Sequence, residues 1–95
     1  MTIAGRDKLE KFMRKHANAR SPLKAWLAEA EAATWENPQQ IKNRFQSADF
    51  LSGNRVVFNI GGNNFRLVVL VRYAGSVVLV QKIGTHAEYE KWNLD

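Results

Sequence analysis

Three residue types in the last third of the chain could act together on RNA. Arg66 lies within a strand-like apolar run, and His86 and Tyr89 follow in a Thr-His-x-x-Tyr segment that begins at Thr85. Metal-free RNA cleavage uses the 2′-hydroxyl as an internal nucleophile, so it needs a base, an acid and cations around the phosphorane. Arginine, histidine and tyrosine can supply these functions. We therefore predict that these residues form a catalytic site.

Arg66 is the predicted phosphate clamp, because a guanidinium can hold a phosphate with two parallel hydrogen bonds. The alternative is an exposed strand arginine with no particular partner. Asn59 comes from the preceding strand-like run. It could orient the 2′-hydroxyl or simply bond to its neighbour across the sheet. We include Asn59 in the predicted catalytic set and leave both alternatives open.

His86 and Tyr89 are predicted to share one side of a short final helix, since they are three residues apart. The positive end of a helix disfavours the imidazolium, which favours His86 as a neutral base or donor. Tyr89 could stack on a base or donate to the phosphate. The alternatives are a surface histidine and an aromatic ring that holds the helix to the sheet. Glu88 fits a capping-box partner of Thr85 better than a general base.

Positive charge is concentrated in the first half of the chain. The formal net charge is +5, and residues 1–44 hold nine Lys or Arg against five Asp or Glu. Basic small proteins tend to bind polyanions or acidic proteins. A solvated helix face is the simpler explanation for any single lysine. The predicted RNA contacts are Lys8, Lys11, Arg14, Lys15, Arg55 and Arg72.

Composition indicates one globular domain over residues 1–95 and excludes several classes of site. The chain has no cysteine and two histidines, which argues against disulfides, thiol catalysis and structural zinc. We predict no metal and no cofactor. There is no apolar run long enough for a membrane span and no secretory signal pattern, so we expect a cytoplasmic protein.

Helical periodicity occupies the first half of the chain. Leu9 and Phe12 lie on one face of a predicted first helix. Ser21, followed by proline, is the predicted N-cap of a second helix. Asn37, again followed by proline, should begin a third short helix that ends near residue 45, with Gln40 at the capping-box position.

Strand-like runs follow after residue 50. Turn residues at Gly62-Asn63 and Ala74-Gly75 predict an antiparallel meander of strands at roughly 55–60, 65–73 and 76–83. Alternation places an apolar set of side chains on one face, against the helices. That set is Val56, Phe58, Ile60, Phe65, Leu67, Val69, Val71, Val78 and Val80.

The other face should be open and should carry the predicted site. In this register Asn59 faces Arg66 with Gln81 close by and Ile83 on the same face, while Lys82 points toward the helices. A final helix from the Thr85 cap through Trp92 completes an α+β fold. We predict N-terminal helices packed on one face of a three-stranded, or slightly larger, antiparallel sheet.

Several stretches resemble the HigB-type toxins of bacterial toxin–antitoxin systems, within the RelE-like superfamily. The more specific stretches are NRVVFNIGGNNFRLVV, residues 54–69, and IGTHAEYEK, residues 83–91. Supporting similarity lies in the Pro-Leu-x-x-Trp of the second helix, at Trp35, and in IKNRFQSADF, residues 41–50. The resemblance therefore covers nearly the whole chain.

The resemblance implies a RelE-like fold and a metal-independent endoribonuclease that cuts mRNA during translation on the ribosome. It also implies a cognate antitoxin with a helix-turn-helix domain, through which the pair binds its operator DNA. The positions that match the family's site are Asn59, Arg66, His86 and Tyr89. Lys82 departs from the family pattern, which is more often apolar there, and is left out of the predicted site.

Two other functions are consistent with the residues. An α-β-β-β-α order is found in double-stranded RNA-binding domains, which bind without cleavage. However, Glu88 and Glu90 stand in the final helix where a lysine cluster would be expected. A protein-interaction module with no RNA role is the third hypothesis.

Overall fold

The structure is a computed structural model that describes residues 1–94. Its four α-helices are α1 (Arg6–Lys15), α2 (Arg20–Ala32), α3 (Pro38–Arg44) and α4 (His86–Glu90). Its strands are β1 (Thr2–Ala4), β2 (Asp49–Leu51), β3 (Arg55–Ile60), β4 (Phe65–Arg72) and β5 (Val77–Thr85). A short 3₁₀ turn at Ala17–Ala19 joins α1 to α2.

The strands form one five-stranded sheet in the order β1-β5-β4-β3-β2. The predicted meander is its centre, and the α+β class is confirmed. Two short edge strands enlarge it, and β1 pairs with β5 in parallel, so the sheet is mixed rather than wholly antiparallel. Sequence periodicity cannot reveal three-residue strands, because they are too short to show an alternating pattern.

The predicted apolar face is confirmed as the core face of the sheet. Its nine residues all join the buried cluster to which α1, α2 and α3 contribute. Trp26 and Trp35 are also buried there, and both rings contact Phe58. The predicted stripe of α1 is buried, with Leu9 at 0% and Phe12 at 9% relative exposure.

Two of the predicted helix boundaries need correction. Asn37 is the N-cap of α3, and its side chain accepts a hydrogen bond from the Gln40 amide at 3.1 Å. By contrast, α2 begins at Arg20 rather than with Ser21 as its cap, because the 3₁₀ turn leads directly into it. The capping box at Thr85 is present, but α4 ends at Glu90, before Trp92.

The register of the meander is as predicted up to one irregularity in β5. Asn59 pairs with Arg66, and Arg72 pairs with Val77. A β-bulge then lies at Gln81, between the pairs Val69–Val80 and Val68–Lys82. An extra residue in one strand transfers every later side chain of that strand to the other face.

The bulge overturns three predicted positions. Lys82 pairs with Val68 and so lies on the open face, not toward the helices. Ile83 pairs with Leu67 and packs against the core. Gln81 is not beside Asn59 and Arg66, because Gly84 occupies the position across from Arg66.

Candidate active site

Arg66 is the one charged residue classed as buried among residues 1–94, with 8% relative exposure. Its Nη1 donates hydrogen bonds to the carbonyl oxygens of Asn63, at 3.1 Å, and Phe65, at 3.2 Å. The guanidinium carbon lies 5.6 Å from the centre of the Tyr89 ring, in cation–π contact. Within the described chain no carboxylate forms an ion pair with Arg66.

The loop between β3 and β4 holds this arrangement together. Gly61 and Gly62 adopt positive φ angles of 61° and 67°, a conformation that glycine tolerates without strain. The Asn64 amide donates to the Gly61 carbonyl oxygen at 3.3 Å, which closes the predicted turn at Gly62-Asn63. The last carbonyls of the loop then point toward the site. Asn63 accepts from Arg66, and the Asn64 carbonyl accepts from the His86 amide at 3.0 Å. The loop therefore ties Arg66 to the start of α4.

The start of α4 is fixed by its capping box. The Thr85 side chain accepts from the Glu88 amide at 3.2 Å, and the Glu88 carboxylate accepts from the Thr85 amide at 2.8 Å. The backbone hydrogen bond from Thr85 is the main cause that lowers the pKa of Glu88, and Lys15 and His16 lower it further. Glu88 is thus a capping carboxylate, as its sequence position predicted.

His86 belongs to the same region, but its side chain points along the helix. The imidazole Nε2 lies 2.8 Å from a Glu90 carboxylate oxygen, one turn further on. Both side chains are exposed, at 49% and 64%. The structure therefore places Asn59 opposite Arg66 across the sheet and Tyr89 against the Arg66 guanidinium, while the His86 imidazole contacts Glu90. Sequence reasoning missed Glu90 because many carboxylates at this spacing only stabilise a helix.

Two further residues extend the site along the open face. The Trp92 ring contacts the Tyr89 ring edge-on at 5.9 Å, and the Lys82 ammonium lies 5.3 Å from the Trp92 ring. A series of alternating cationic and aromatic side chains results, from Arg66 through Tyr89 and Trp92 to Lys82. The sequence contained a signal for Trp92, three residues after Tyr89, but the position of Lys82 depends on the bulge.

Gly84 provides the space for Trp92 next to Arg66. A methyl group built on Gly84 would lie 2.6 Å from the six-membered ring of Trp92, closer than real side chains approach. Because Gly84 pairs with Arg66 across the sheet, Trp92 lies against the backbone next to the buried guanidinium. A glycine at this position therefore allows the aromatic ring to pack close to the site.

The predicted RNA contacts separate into two groups. Lys8, Lys11, Arg14 and Lys15 line one groove together with Lys82 and Trp92, and we call this the basic groove. Arg55 instead donates to the carbonyl oxygen of Ser52 at 2.9 Å, which fixes the turn before β3. Arg72 is exposed six residues along β4 from Arg66, about 20 Å away at the usual strand rise.

Residues 1–94 contain neither a cluster of metal-binding side chains nor a helix that could span a membrane. There is no group of three or more His, Asp or Glu side chains in that range with a metal-binding arrangement. None of the described helices is both long and apolar enough to cross a membrane.

Comparison with known proteins gives a consistent set of relatives. Residues 19–92 match the family model described as HigB toxin, RelE-like toxic component of a toxin-antitoxin system. The chain is similar to the mRNA interferase HigB of Escherichia coli O6:H1, with 27% identity covering 96% of this chain and 90% of that protein. It is also similar to the mRNA interferase toxin HigB of E. coli K12, with 31% identity over 59% of this chain and 56% of that protein. The mRNA interferase HigB of Shigella flexneri matches with the same identity and coverage.

Proposed function

This chain belongs to the HigB family of RelE-like toxins, and from that premise we propose that it is a metal-independent endoribonuclease that cuts translated mRNA on the ribosome. Two relatives named mRNA interferase HigB are similar to it, one over 96% and the other over 59% of this chain. The RNA-cleaving activity of this chain is inferred from those names together with the geometry of the open face.

The observation that carries the proposal is the buried, unneutralised guanidinium of Arg66. Removing a cation from water is unfavourable unless an anion or several hydrogen bonds compensate. Arg66 has two carbonyl oxygens and one aromatic ring near it, and no carboxylate pairs with it in the described residues. Both hydrogen bonds of Arg66 use Nη1, so Nε and Nη2 can donate to a ligand. Those two groups form the fork that binds a phosphate bidentately.

In the proposed reaction, the 2′-oxygen of the substrate attacks the adjacent phosphorus while the bond from phosphorus to the 5′-oxygen breaks. A base removes the 2′-hydroxyl proton, and an acid protonates the departing 5′-oxygen, which leaves a cyclic phosphate and a 5′-hydroxyl. Arg66 holds the phosphate and stabilises its developing charge. His86 acts as the acid or the base, Tyr89 stacks on a base or donates to the phosphate, and Asn59 positions the sugar.

Glu90 has a positioning role in this scheme. Its carboxylate lies within hydrogen-bond distance of Nε2 of His86. In the neutral imidazole a proton on Nε2 leaves Nδ1 free to accept one, so the Glu90 contact selects which nitrogen faces the substrate. A carboxylate that orients a catalytic histidine is a recurrent arrangement in proton-transfer sites.

The proposed partners follow from the family. They are mRNA on the ribosome, with contacts to ribosomal RNA, and a cognate helix-turn-helix antitoxin. Operator DNA would be bound only through the complex with that antitoxin. The proposed location is the cytoplasm, where translation takes place.

The test is induced expression in a bacterial host with mapping of the 5′ ends of a reporter mRNA. We expect wild-type protein to arrest growth and to produce cuts inside translated codons. The Arg66→Ala/His86→Ala variant should lose both effects. A matched Arg6→Ala/Lys24→Ala variant removes two exposed cationic side chains outside the site and should retain both effects.

Two results would contradict the proposal. Normal growth and intact mRNA with soluble wild-type protein present would favour a module that binds RNA without cleavage or a protein-interaction module. Cuts that persist in the Arg66→Ala/His86→Ala variant would place the chemistry elsewhere in the chain. A reporter without a start codon separates the ribosome requirement from cleavage itself, because only translated mRNA should be cut.

A further inference from the structure

We infer that the basic groove binds the single-stranded RNA that continues from the phosphate at Arg66, so that the toxin grips several nucleotides beyond the cut. This inference rests on the proposed function, because it assigns the same RNA a second contact region. The groove has a volume of about 660 Å³ and runs between α1 and the free half of β5. Trp92 and Lys82 stand between the groove and Arg66.

The free half of β5 arises from the length of β1. Strand β1 pairs only with residues 77–79, and within residues 1–94 no strand covers β5 on that side from Val80 onward. Unpaired strand edges often bind an extended peptide by adding a strand. Here the Lys8 ammonium lies 3.5 Å from the Val80 carbonyl oxygen and 3.3 Å from that of Gln81. The bulge at Gln81 further disrupts the edge, so strand addition is disfavoured.

The charge of the groove fits a polyanion. Five cationic side chains line it, namely Lys8, Lys11, Arg14, Lys15 and Lys82. None of these five takes part in an ion pair found among residues 1–94. One carboxylate, Glu88, is near enough to Lys15 for that lysine to lower its pKa. Among residues 1–94 the groove lining holds five cations and no carboxylate, so the lining is strongly positive.

Apolar surface among the cations favours nucleic acid over a simple acidic segment. Phe12, Ile83 and Trp92 contribute to the same lining. Proteins that bind single-stranded RNA combine a cationic groove for the backbone with aromatic side chains on which bases stack. Trp92 has that role here, and Lys82, held over its ring, is placed to contact the next phosphate.

The position of Trp92 connects the groove to the proposed catalytic site. Its ring contacts Tyr89, whose own ring lies against Arg66. A strand that has one phosphate at Arg66 can therefore place a neighbouring base at Trp92 and later phosphates along α1. The groove then holds the nucleotides on one side of the scissile phosphate, either the 5′ or the 3′ side.

The experiment measures binding of fully 2′-O-methylated RNA, which lacks the nucleophile and cannot be cut. Oligonucleotides of about three and about 12 nucleotides are compared, since single-strand sites span roughly 4 to 16 nucleotides. Fluorescence anisotropy gives the dissociation constants across a salt series. We expect about tenfold tighter binding of the longer oligonucleotide, and this gain should fall to near unity in Lys11→Gln/Lys15→Gln. The salt slope should decrease by about 1.4, from two lost phosphate contacts at about 0.7 each.

A matched control separates the groove from overall charge. Arg6→Gln/Lys24→Gln removes the same charge at two exposed positions outside the groove and should keep the length-dependent gain. Intrinsic fluorescence provides a second measurement, because Trp26 and Trp35 are 3% and 6% exposed whereas Trp92 is partly exposed. The longer RNA should quench Trp92 emission, and Trp92→Leu should abolish that quenching.

Three outcomes would overturn the inference. The first is an unchanged length gain in Lys11→Gln/Lys15→Gln, and the second is an equal loss in the control variant. The third is binding of a glutamate-rich peptide that Lys11→Gln/Lys15→Gln weakens, while the longer RNA binds no more tightly than the shorter one. The last result would assign the groove to an acidic protein partner. Failure of the proposed function can be distinguished from failure of this inference. The first would appear as an absence of mRNA cuts in cells, whereas the second would appear in the binding of uncleavable RNA. A groove that fails this test while cuts persist leaves the proposed function intact.

Discussion

Arg66 and Leu67 are adjacent on β4 and are both nearly inaccessible to solvent, yet they face opposite sides of the sheet. Leu67 is 0% exposed and lies in the apolar cluster beneath the helices. Arg66 is 8% exposed and lies among loop carbonyls and the Tyr89 ring. Burial of the leucine removes apolar surface from water, which stabilises the fold. Burial of the arginine removes a cation from water, which does not.

This difference indicates that the two faces of the strand serve different ends. On the core face the apolar side chains pack against one another, so truncation of one of them should reduce stability. On the open face Arg66 has no charged partner, so removal of its guanidinium should reduce activity. Variants of neighbouring residues can therefore separate folding from function within a single strand.

The largest expected effect is on stability, at Leu67. Leu67→Ala should lower the free energy of unfolding by about 2.7–5 kcal/mol, because it removes buried methyl groups and leaves a cavity. Urea denaturation followed by circular dichroism measures this loss. Leu79→Ala is the matched control, since Leu79 is 40% exposed, and should change stability by less than about 0.5 kcal/mol. Similar losses in both variants would mean that the open face contributes to the core.

Arg66→Ala should give the opposite result. Removing one group that stabilises charge at the reacting phosphate typically slows the reaction about 10²–10³-fold, or about 2.7–4 kcal/mol in activation free energy. The free energy of unfolding should fall by at most about 1–2 kcal/mol, because two hydrogen bonds to loop carbonyls and the Tyr89 contact are lost but no ion pair is broken. Cleavage of reporter mRNA and urea denaturation are measured on the same preparation. Arg72→Ala, on the same strand, should reduce cleavage at most a few fold. A large loss of stability in Arg66→Ala would assign this arginine a structural role.

The contrast between the faces also explains how far the sequence predicts the molecule. The core face follows from alternation, since Val56 and Phe58 lie two residues apart on β3, as do Phe65 and Leu67 on β4, and all four join the buried cluster. The opposite face is less open than predicted, because Val57 and Val68 on that face are each only 1% exposed. The pairing of Asn59 with Arg66 follows from turn residues and strand lengths alone. These features are encoded locally, so a single sequence reveals them.

The bulge at Gln81 is the feature that the sequence does not reveal. A bulge depends on how two strands fit together along their whole length, and it has no reliable local signature when it lacks glycine. Its consequence is large, because it turns Lys82 and Gly84 onto the open face. Half of the cation and aromatic series beside Arg66 therefore depends on one irregularity in β5. The catalytic roles of the named residues remain predictions.

Gly84 offers the sharpest test of that series. Gly84→Ala adds a methyl group that would lie 2.6 Å from the Trp92 ring, so the ring must move. We expect a shift in Trp92 emission and a loss of stability of about 1 kcal/mol, within the usual range for overpacking. Gly75→Ala is a matched control, because nothing lies within 4 Å of its added methyl group. Unchanged Trp92 emission in Gly84→Ala would show that the ring does not lie against β5.

The smallest expected effect is the loss of stability when acid protonates Glu88, the carboxylate of the capping box. The folded protein lowers the pKa of Glu88, chiefly through the Thr85 backbone hydrogen bond, so the carboxylate form is favoured by folding. Its contribution to stability is complete above the ordinary carboxyl pKa and is lost as the pH falls through the lowered value. After solvent screening this contribution should be only about 0.3 kcal/mol.

Because the Glu88 carboxylate also lies near Gly84, acid should loosen the segment that carries Tyr89 and Trp92 before it affects the core. Trp92 emission followed during acid titration should therefore change at a higher pH than far-ultraviolet circular dichroism. In Glu88→Gln this early change should disappear, since a neutral amide replaces the titrating group. Coincident transitions in the wild type would show that the open-face end and the core unfold as one unit.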